Sequence, residues 1–371
     1  MTTRRSTGAA PIAARWLTRR LAPSLALLAA VASVPAQPAQ PARPPARVAR
    51  AWPVMGTMLG VTVWGTDTAA MRRGVYAARD SVRLVDSLMS SYRPTSEISR
   101  LNAAAGGAPL PVSPQTLHVL RRARLFWRLS GGRFDPTVGP LVRAWGFQGD
   151  SGRVPPRAEL DSLRMLVDFG AVEIDSTAGT VRLPRAGMRL DLGGIAKGYA
   201  LDLARRALRD PRITGGMVDL GGNVLVFGRP PRGERWVIGI RHPRGDGRLL
   251  GTVTLDSGAV ATSGDYEHFY RIDGVRYGHL IDPTTGYPRR GVMAATAIGP
   301  RGDWSDGLSA TLFLVGPARG AAIADSLPHV AGLWVLDGDA DARAEVRTGD
   351  VVLSRRARAI FTPAPGVATP E

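Results

Sequence analysis

Cysteine is absent from this 371-residue chain, lysine occurs once, at Lys197, and asparagine twice, at Asn102 and Asn223. The missing cysteine excludes disulfides, thiolate metal centres, a cysteine nucleophile and an N-terminal lipid carried on cysteine. The shortage of lysine is not a shortage of positive charge: 48 Lys and Arg stand against 31 Asp and Glu, a formal net charge of +17. All but one of those basic residues are arginine, which reads as a compositional bias and makes the single position that keeps lysine worth following. Hydrophobic residues make up 44%, ordinary for a globular protein with a sizeable core. The length fits one large domain or two smaller ones.

Residues 1–36 read as an export signal. Arg4, Arg5, Arg15, Arg19 and Arg20 precede a short apolar stretch at 21–33, and Val34-Pro35-Ala36 offers small residues for cleavage. Thr18-Arg19-Arg20-Leu21 partly matches a twin-arginine signal. The apolar stretch is short for a spanning helix, so a cleaved periplasmic product is the first expectation and an uncleaved anchor the second. Losing residues 1–36 removes five arginines and no acids, leaving +12. That charge suits anionic ligands or a membrane surface, or is simply a solvated arginine-rich surface. No nucleic-acid-binding motif is present. Residues 37–51, rich in Pro, Ala and Arg, read as an extended tether. The folded domain is expected over 52–361, with a loose tail at 362–371.

Spacing of apolar residues predicts a helix over 71–89, with Val75, Val82, Val85 and Met89 on one face. A second helix within 111–129 has Ser113 as N-cap, Pro114 in its first turn and Gly131-Gly132 at its end, and is expected to bury Leu117, Leu120 and Trp127. Residues 181–183 and 188–192 read as a hairpin leading into Gly193-Gly194 and a helix over 195–208. Further strands are expected at 58–64, 217–227, 236–241, 250–255 and 258–262, helices over 304–315 and 319–326, and closing strands at 333–336, 345–347 and 352–353. Strands cluster instead of alternating with helices. The expected fold class is therefore α+β, a single large domain of clustered mixed or antiparallel strands with flanking helices.

Four segments carry side chains suited to chemistry. In Asp191-Leu-Gly-Gly-Ile-Ala-Lys197 a strand gives way to two glycines and a helix start, where bare amides and a lysine make an anion site, or merely a tight turn. It matches neither a Walker loop nor a dinucleotide fingerprint. His279, before Leu280-Ile281-Asp282-Pro283, is a candidate proton acceptor or ligand group, or simply a partner of the following turn. Asp303 and Asp306 open a helix, where carboxylates are favoured anyway; Asp306 could also serve a hard cation. Met55, Tyr92 and the turn Arg133-Phe134-Asp135 lie near Gly-rich turns and can wall a planar ring, although such residues are more often core.

Together and in this order, these segments resemble the FAD:protein FMN transferase (ApbE-type) family over about residues 52–345. The resemblance rests on Met55-Gly-Thr, Ser91-Tyr-Arg-Pro, Phe134-Asp-Pro-Thr-Val-Gly-Pro-Leu-Val, Asp191-Leu-Gly-Gly-Ile-Ala-Lys-Gly-Tyr-Ala, Asp219-Leu-Gly-Gly-Asn223, Ala261-Thr-Ser-Gly-Asp-Tyr and His279-Leu-Ile-Asp-Pro. It implies FAD as substrate, Mg²⁺, and a flavin-accepting partner protein such as a redox-pump subunit or exported flavoprotein. Met55 and Tyr92 would contact the flavin, and Arg133, Phe134 and Asp135 would line the nucleotide pocket. Asp191 and Lys197 would hold the FAD, with His279 and Leu280 beside it. Gly194 (through its carbonyl) and Asp306 would hold the metal. The family's second metal position, usually threonine four residues after the aspartate, is Ala310 here. Thr311 lies about 100° further round the helix. The reaction implied is transfer of FMN from FAD to a Ser or Thr hydroxyl with release of AMP, with His279, Lys197 and Asp306 as the candidate catalytic groups. Hydrolysis of FAD to FMN and AMP, or FAD binding without chemistry, are the alternatives.

Overall fold

A computed structural model describes residues 45–149, 152–231, 233–244, 247–337 and 350–367. The expected signal, the expected strand at 345–347 and residues 368–371 lie outside them. In chain order the first elements are β1 (Ala46–Val54), β2 (Thr57–Gly65), α1 (Thr68–Met89), α2 (Glu97–Ala103), β3 (Leu110–Pro111), α3 (Pro114–Ser130), α4 (Gly139–Ala144) and α5 (Arg157–Arg164). Then come β4 (Glu173–Asp175), β5 (Thr180–Arg182), α6 (Ala196–Ala207), β6 (Ile213–Leu220), β7 (Asn223–Gly228), β8 (Trp236–Arg241), β9 (Leu249–Leu255) and β10 (Gly258–Gly264). The last are β11 (Phe269–Ile272), β12 (Val275–Gly278), β13 (Val292–Gly299), α7 (Gly302–Val315), α8 (Pro317–Ser326), β14 (Ala331–Leu336), β15 (Val351–Leu353), α9 (Arg355–Ile360) and β16 (Phe361–Pro363).

The α+β expectation holds, and every pair of neighbouring strands among these is antiparallel. An eight-stranded sheet in the order β1-β2-β6-β7-β10-β13-β14-β15 forms the middle layer. One face packs on α1, α3, α6 and α7 through Leu59, Val61, Val63, Leu225 and Ala295. Alternate residues such as Val226, Val260 and Leu333 face the small sheet β16-β9-β8 and its Trp236, Ile238 and Val253. Among the described residues no helix is long and apolar enough to cross a membrane.

Local chemistry sets the helix boundaries. The Asp67 carboxylate caps α1, accepting the Ala69 and Ala70 N–H groups at 2.8 and 3.0 Å. Ser113 caps α3 through the Thr116 N–H, and Gly131 ends it at φ 65°. The buried face of α3 is Val119, Leu120, Ala123 and Phe126; Leu117 and Trp127 are only half-buried, one position off the stripe.

Several boundaries differ from expectation. The fold starts earlier than residue 52: β1 begins at Ala46, inside the stretch read as a tether, because its backbone pairs with all of β2 while Arg47 and Arg50 stay in solvent. At the other end β16 reaches Pro363, past 361, by pairing with β9. The expected strand 217–227 is two strands, since Gly221 and Gly222 at φ 62° and 86° turn the chain between β6 and β7. Residues 292–299, unassigned from sequence, form the fully buried β13, whose Ala-rich run has no alternation to betray it.

The expected strand at 188–192 is not a strand. β5 pairs with β3 and β4 instead. The backbone of Leu190 is held by a side chain: Asn102 Nδ2 donates to the Leu190 carbonyl at 3.0 Å, and Asn102 Oδ1 accepts the Leu190 N–H at 2.6 Å. The Asp191 N–H donates to Pro136 O, and the Gly139 N–H to Arg189 O. A buried carboxamide thus replaces a strand partner and anchors the segment that enters the Gly193-Gly194 turn.

Asn102→Ala leaves a buried N–H and a buried carbonyl without partners, so a loss of about 2–4 kcal/mol is expected in urea unfolding. Asn102→Asp, which cannot donate to the Leu190 carbonyl, should cost a similar amount.

Candidate active site

Asp306 lies one turn into α7 and is almost fully buried. Its Oδ2 accepts the Gly198 N–H at 2.8 Å and its Oδ1 accepts Asn223 Nδ2 at 2.9 Å. Burial pushes its carboxyl above the usual carboxylate range, against the pull of the Lys197 ammonium and these two donors. Lys197 stands half-buried in the first turn of α6, and among the described residues its ammonium makes no hydrogen bond or ion pair at contact distance. Asn223 was not expected at the site; its scarcity in the chain was the available signal.

The Gly193-Gly194 turn lies against α7. A Cβ built on Gly194 would sit 3.2 Å from the Phe134 ring and 3.4 Å from the Ala310 Cβ. Ala310 therefore faces this loop and has no oxygen to offer it. Thr311 points away, as expected, with its hydroxyl donating to Gly307 O at 2.8 Å. Ser309 does not compensate: its hydroxyl donates to Asp306 O at 2.8 Å and meets Ser263 Oγ at 2.9 Å.

His279 directly follows β12. Its Nδ1 lies 3.2 Å from the His268 carbonyl, which also accepts the His279 N–H at 3.0 Å. With Nδ1–H as donor, Nε2 holds the free lone pair. Desolvation, then His268 and Lys197, push the imidazole down to about 4, so it is neutral at physiological pH. His268 is exposed just ahead of β11. Phe147 joins this group to others. Its ring stacks on Tyr270 at 5.1 Å and meets His279 edge-on at 6.4 Å, while its carbonyl receives the Tyr92 hydroxyl at 3.5 Å. Tyr92 is 67% exposed. Asp191 accepts Gln148 Nε2 at 3.2 Å and the Gly193 N–H at 2.8 Å.

Other expected residues have structural partners. The Arg133 guanidinium is paired with Asp282, which also binds the Thr284 N–H and hydroxyl. Asp282 is thereby occupied. Asp135 is buried, and its oxygens accept from the Thr137 and Phe169 N–H groups, the Thr137 hydroxyl and the Trp127 indole. It shapes its turn. Phe134 is buried against Phe126 and the Gly194 loop. Leu280 is half-buried against the core, its carbonyl taking the Arg289 N–H at 2.8 Å.

Met55 occupies the β1–β2 turn at φ 52°, followed by Gly56 at φ 69°. Two left-handed residues form the turn that suits a hairpin, where Asn or Gly is usual; methionine there costs about 1–2 kcal/mol. The turn lies at the sheet end from which Asn223 reaches Asp306. Gly221 N–H donates to Met58 O, Thr57 abuts Gly221, and Asn223 reaches the carboxylate.

Residues 55–334 match the model of the ApbE family. Curated proteins named FAD:protein FMN transferase are similar: one from Treponema pallidum is 35% identical over 306 residues, covering 77% of this chain and 84% of the relative. Another, from Vibrio cholerae, is 37% identical over 248 residues, covering 65% and 73%. The crystal structure of the ApbE protein from Thermotoga maritima superposes with a TM-score of 0.77 at 32% identity, over 85% of this chain and all of that one. With a family model spanning most of the described fold and relatives matching over most of their own length, the chain belongs to the ApbE family.

Proposed function

We propose that this chain transfers the FMN half of FAD to a Ser or Thr hydroxyl of an acceptor protein and releases AMP. The observation that carries the reading is the cluster of Lys197, the Gly193-Gly194 turn and Asp306, fixed by Gly198 and Asn223, in a chain whose relatives are named for this reaction. In the reaction the acceptor oxygen bonds to the flavin-side phosphorus, the bond to the AMP phosphate breaks with its electron pair leaving on AMP, and the hydroxyl proton is lost. His279 Nε2, unprotonated at neutral pH, is the candidate to receive that proton directly or through water. Lys197 at the start of α6 supplies fixed positive potential where the pyrophosphate charge grows.

A divalent cation fits the Asp306 end. The donors would be oxygens, the carboxylate of Asp306 and, as the family resemblance implies, the Gly194 carbonyl, and such oxygens suit Mg²⁺. When bound, the ion would neutralise phosphate charge. With alanine at position 310, phosphate oxygens and water would complete its shell. The basic, apolar and small-residue sequence of residues 1–36 supports export to the periplasm, with exported or membrane redox proteins as acceptors.

The direct test incubates the chain with FAD, Mg²⁺ and a flavoprotein acceptor. The expected result is an FMN mass increment on the acceptor, equimolar AMP, and loss of both with a chelator. Free FMN without acceptor labelling would instead establish hydrolysis, and unchanged bound FAD a binding protein. Lys197→Ala should lower kcat about 10²- to 10³-fold. Lys197→Arg should also lower it, because a planar guanidinium does not replace a compact ammonium; full activity in that variant would remove the special role of lysine. Ala310→Thr, which adds a hydroxyl facing Gly194, should lower the Mg²⁺ concentration for half-maximal activity by roughly tenfold, equivalent to about 1.4 kcal/mol.

A further inference from the structure

A cavity of about 380 Å³ opens beside the end of α6, between the outer ends of β7 and β10 and the segment leading into α7. Arg205, Arg206, Arg209 and Arg301 line it with Phe227 and Asp202. It adjoins the Asp306 site without including Asp306. Leu225 lines it two residues from Asn223, and Asp202 lines it one turn from Gly198. Its far end at Gly228 lies five residues of extended chain, about 17 Å, beyond Asn223.

The charges here do not cancel. Arg301 is taken by Asp303, at 2.8 Å. Asp202 is taken by α7, its oxygens accepting the Gly302 and Asp303 N–H groups at 2.8 and 3.0 Å. Arg205, Arg206 and Arg209 have no carboxylate partner among the described residues. Arg205 is half-buried with its guanidinium carbon 3.9 Å from the Phe227 ring centroid. Burial and then Arg209, four residues on, hold it below the usual arginine range. The α6 dipole favours cations at this end of the helix. It does not account for an arginine desolvated over an aromatic ring and repelled by its neighbour.

We propose that this recess is a second anion site, which takes a phosphate group of a small phosphate ester or of a lipid headgroup. Guanidinium forks match phosphate geometry bidentately. The volume admits one phosphate with a small organic residue and is too narrow for a folded partner. A bound phosphate would relieve the repulsion between Arg205 and Arg209.

The test is calorimetric titration of inorganic phosphate into the full chain, with FAD present in excess to occupy the Asp306 site. Saturable uptake with Kd of about 0.1–1 mM is expected. Arg206→Gln/Arg209→Gln, both exposed positions, should weaken it at least about tenfold and leave FAD binding unchanged. An Asp306→Ala chain, titrated without FAD, should keep the same uptake, so the result does not depend on the flavin reading. Flotation with phosphatidylglycerol–phosphatidylcholine vesicles separates the sources. Vesicle binding that free phosphate competes away assigns a lipid headgroup; phosphate uptake without vesicle binding assigns a soluble ester. No saturable uptake by the unaltered chain, or equal uptake by the double variant, overturns the proposal.

Discussion

The site depends on how closely two helix backbones approach. α6 and α7 cross at Gly198 and Gly302, where a Cβ on either glycine would collide with the carbonyl of the other. Because neither has a side chain, the Gly198 N–H comes within 2.8 Å of the Asp306 carboxylate. The same crossing lets the Asp202 carboxylate reach the first N–H groups of α7. A one-methyl change at the crossing would push the helices apart, taking Lys197, the Gly194 loop and Asp306 out of register together. Packing of this kind transmits small displacements instead of absorbing them.

Much of this was legible in sequence where scarcity or local chemistry left a mark. The single lysine lies beside Asp306, and the two asparagines make buried side-chain contacts that no neighbouring residue type could reproduce. Asn102 both donates to and accepts from the backbone of one residue, Leu190, and Asn223 donates to a carboxylate. Aspartate would fail at the donating role in each. Apolar spacing set α1 closely, and a cap and a glycine stop set α3. What stayed hidden is non-local. Residues 188–192 alternate as a strand does, but their pairing partner is a carboxamide 88 residues earlier. β13 is central and uniformly buried, so no polar beat marks it. Arg133 and Asp135 matched a motif, yet only the tertiary structure revealed that Asp282 and the Trp127–Phe169 region already held them.

The arginine excess also resolves by position. Many guanidiniums are paired with carboxylates or lie over aromatic rings, as Arg122 does with both Asp303 and Trp304. Such a planar fork suits fixed partners. A compact ammonium needs no matching plane, and Lys197 stays unpaired among the described residues.

Three carboxylates crowd the start of α7, and the fold treats each differently. Asp202 is pushed up to about 6 by burial and by Asp303, and is held by backbone N–H groups. Asp303 is held low by His118, Arg122 and Arg301, which outweigh its burial. Among the described residues, Asp306 receives neither an arginine nor a histidine. One backbone amide and one carboxamide orient it, and Lys197 alone opposes its charge. Two neutral donors use one lone pair on each oxygen and leave the others open. A structural carboxylate at this depth would be better served by the guanidinium its neighbour Asp303 has. An oriented but incompletely neutralised one would suit a hard cation, which would bring the missing positive charge with it.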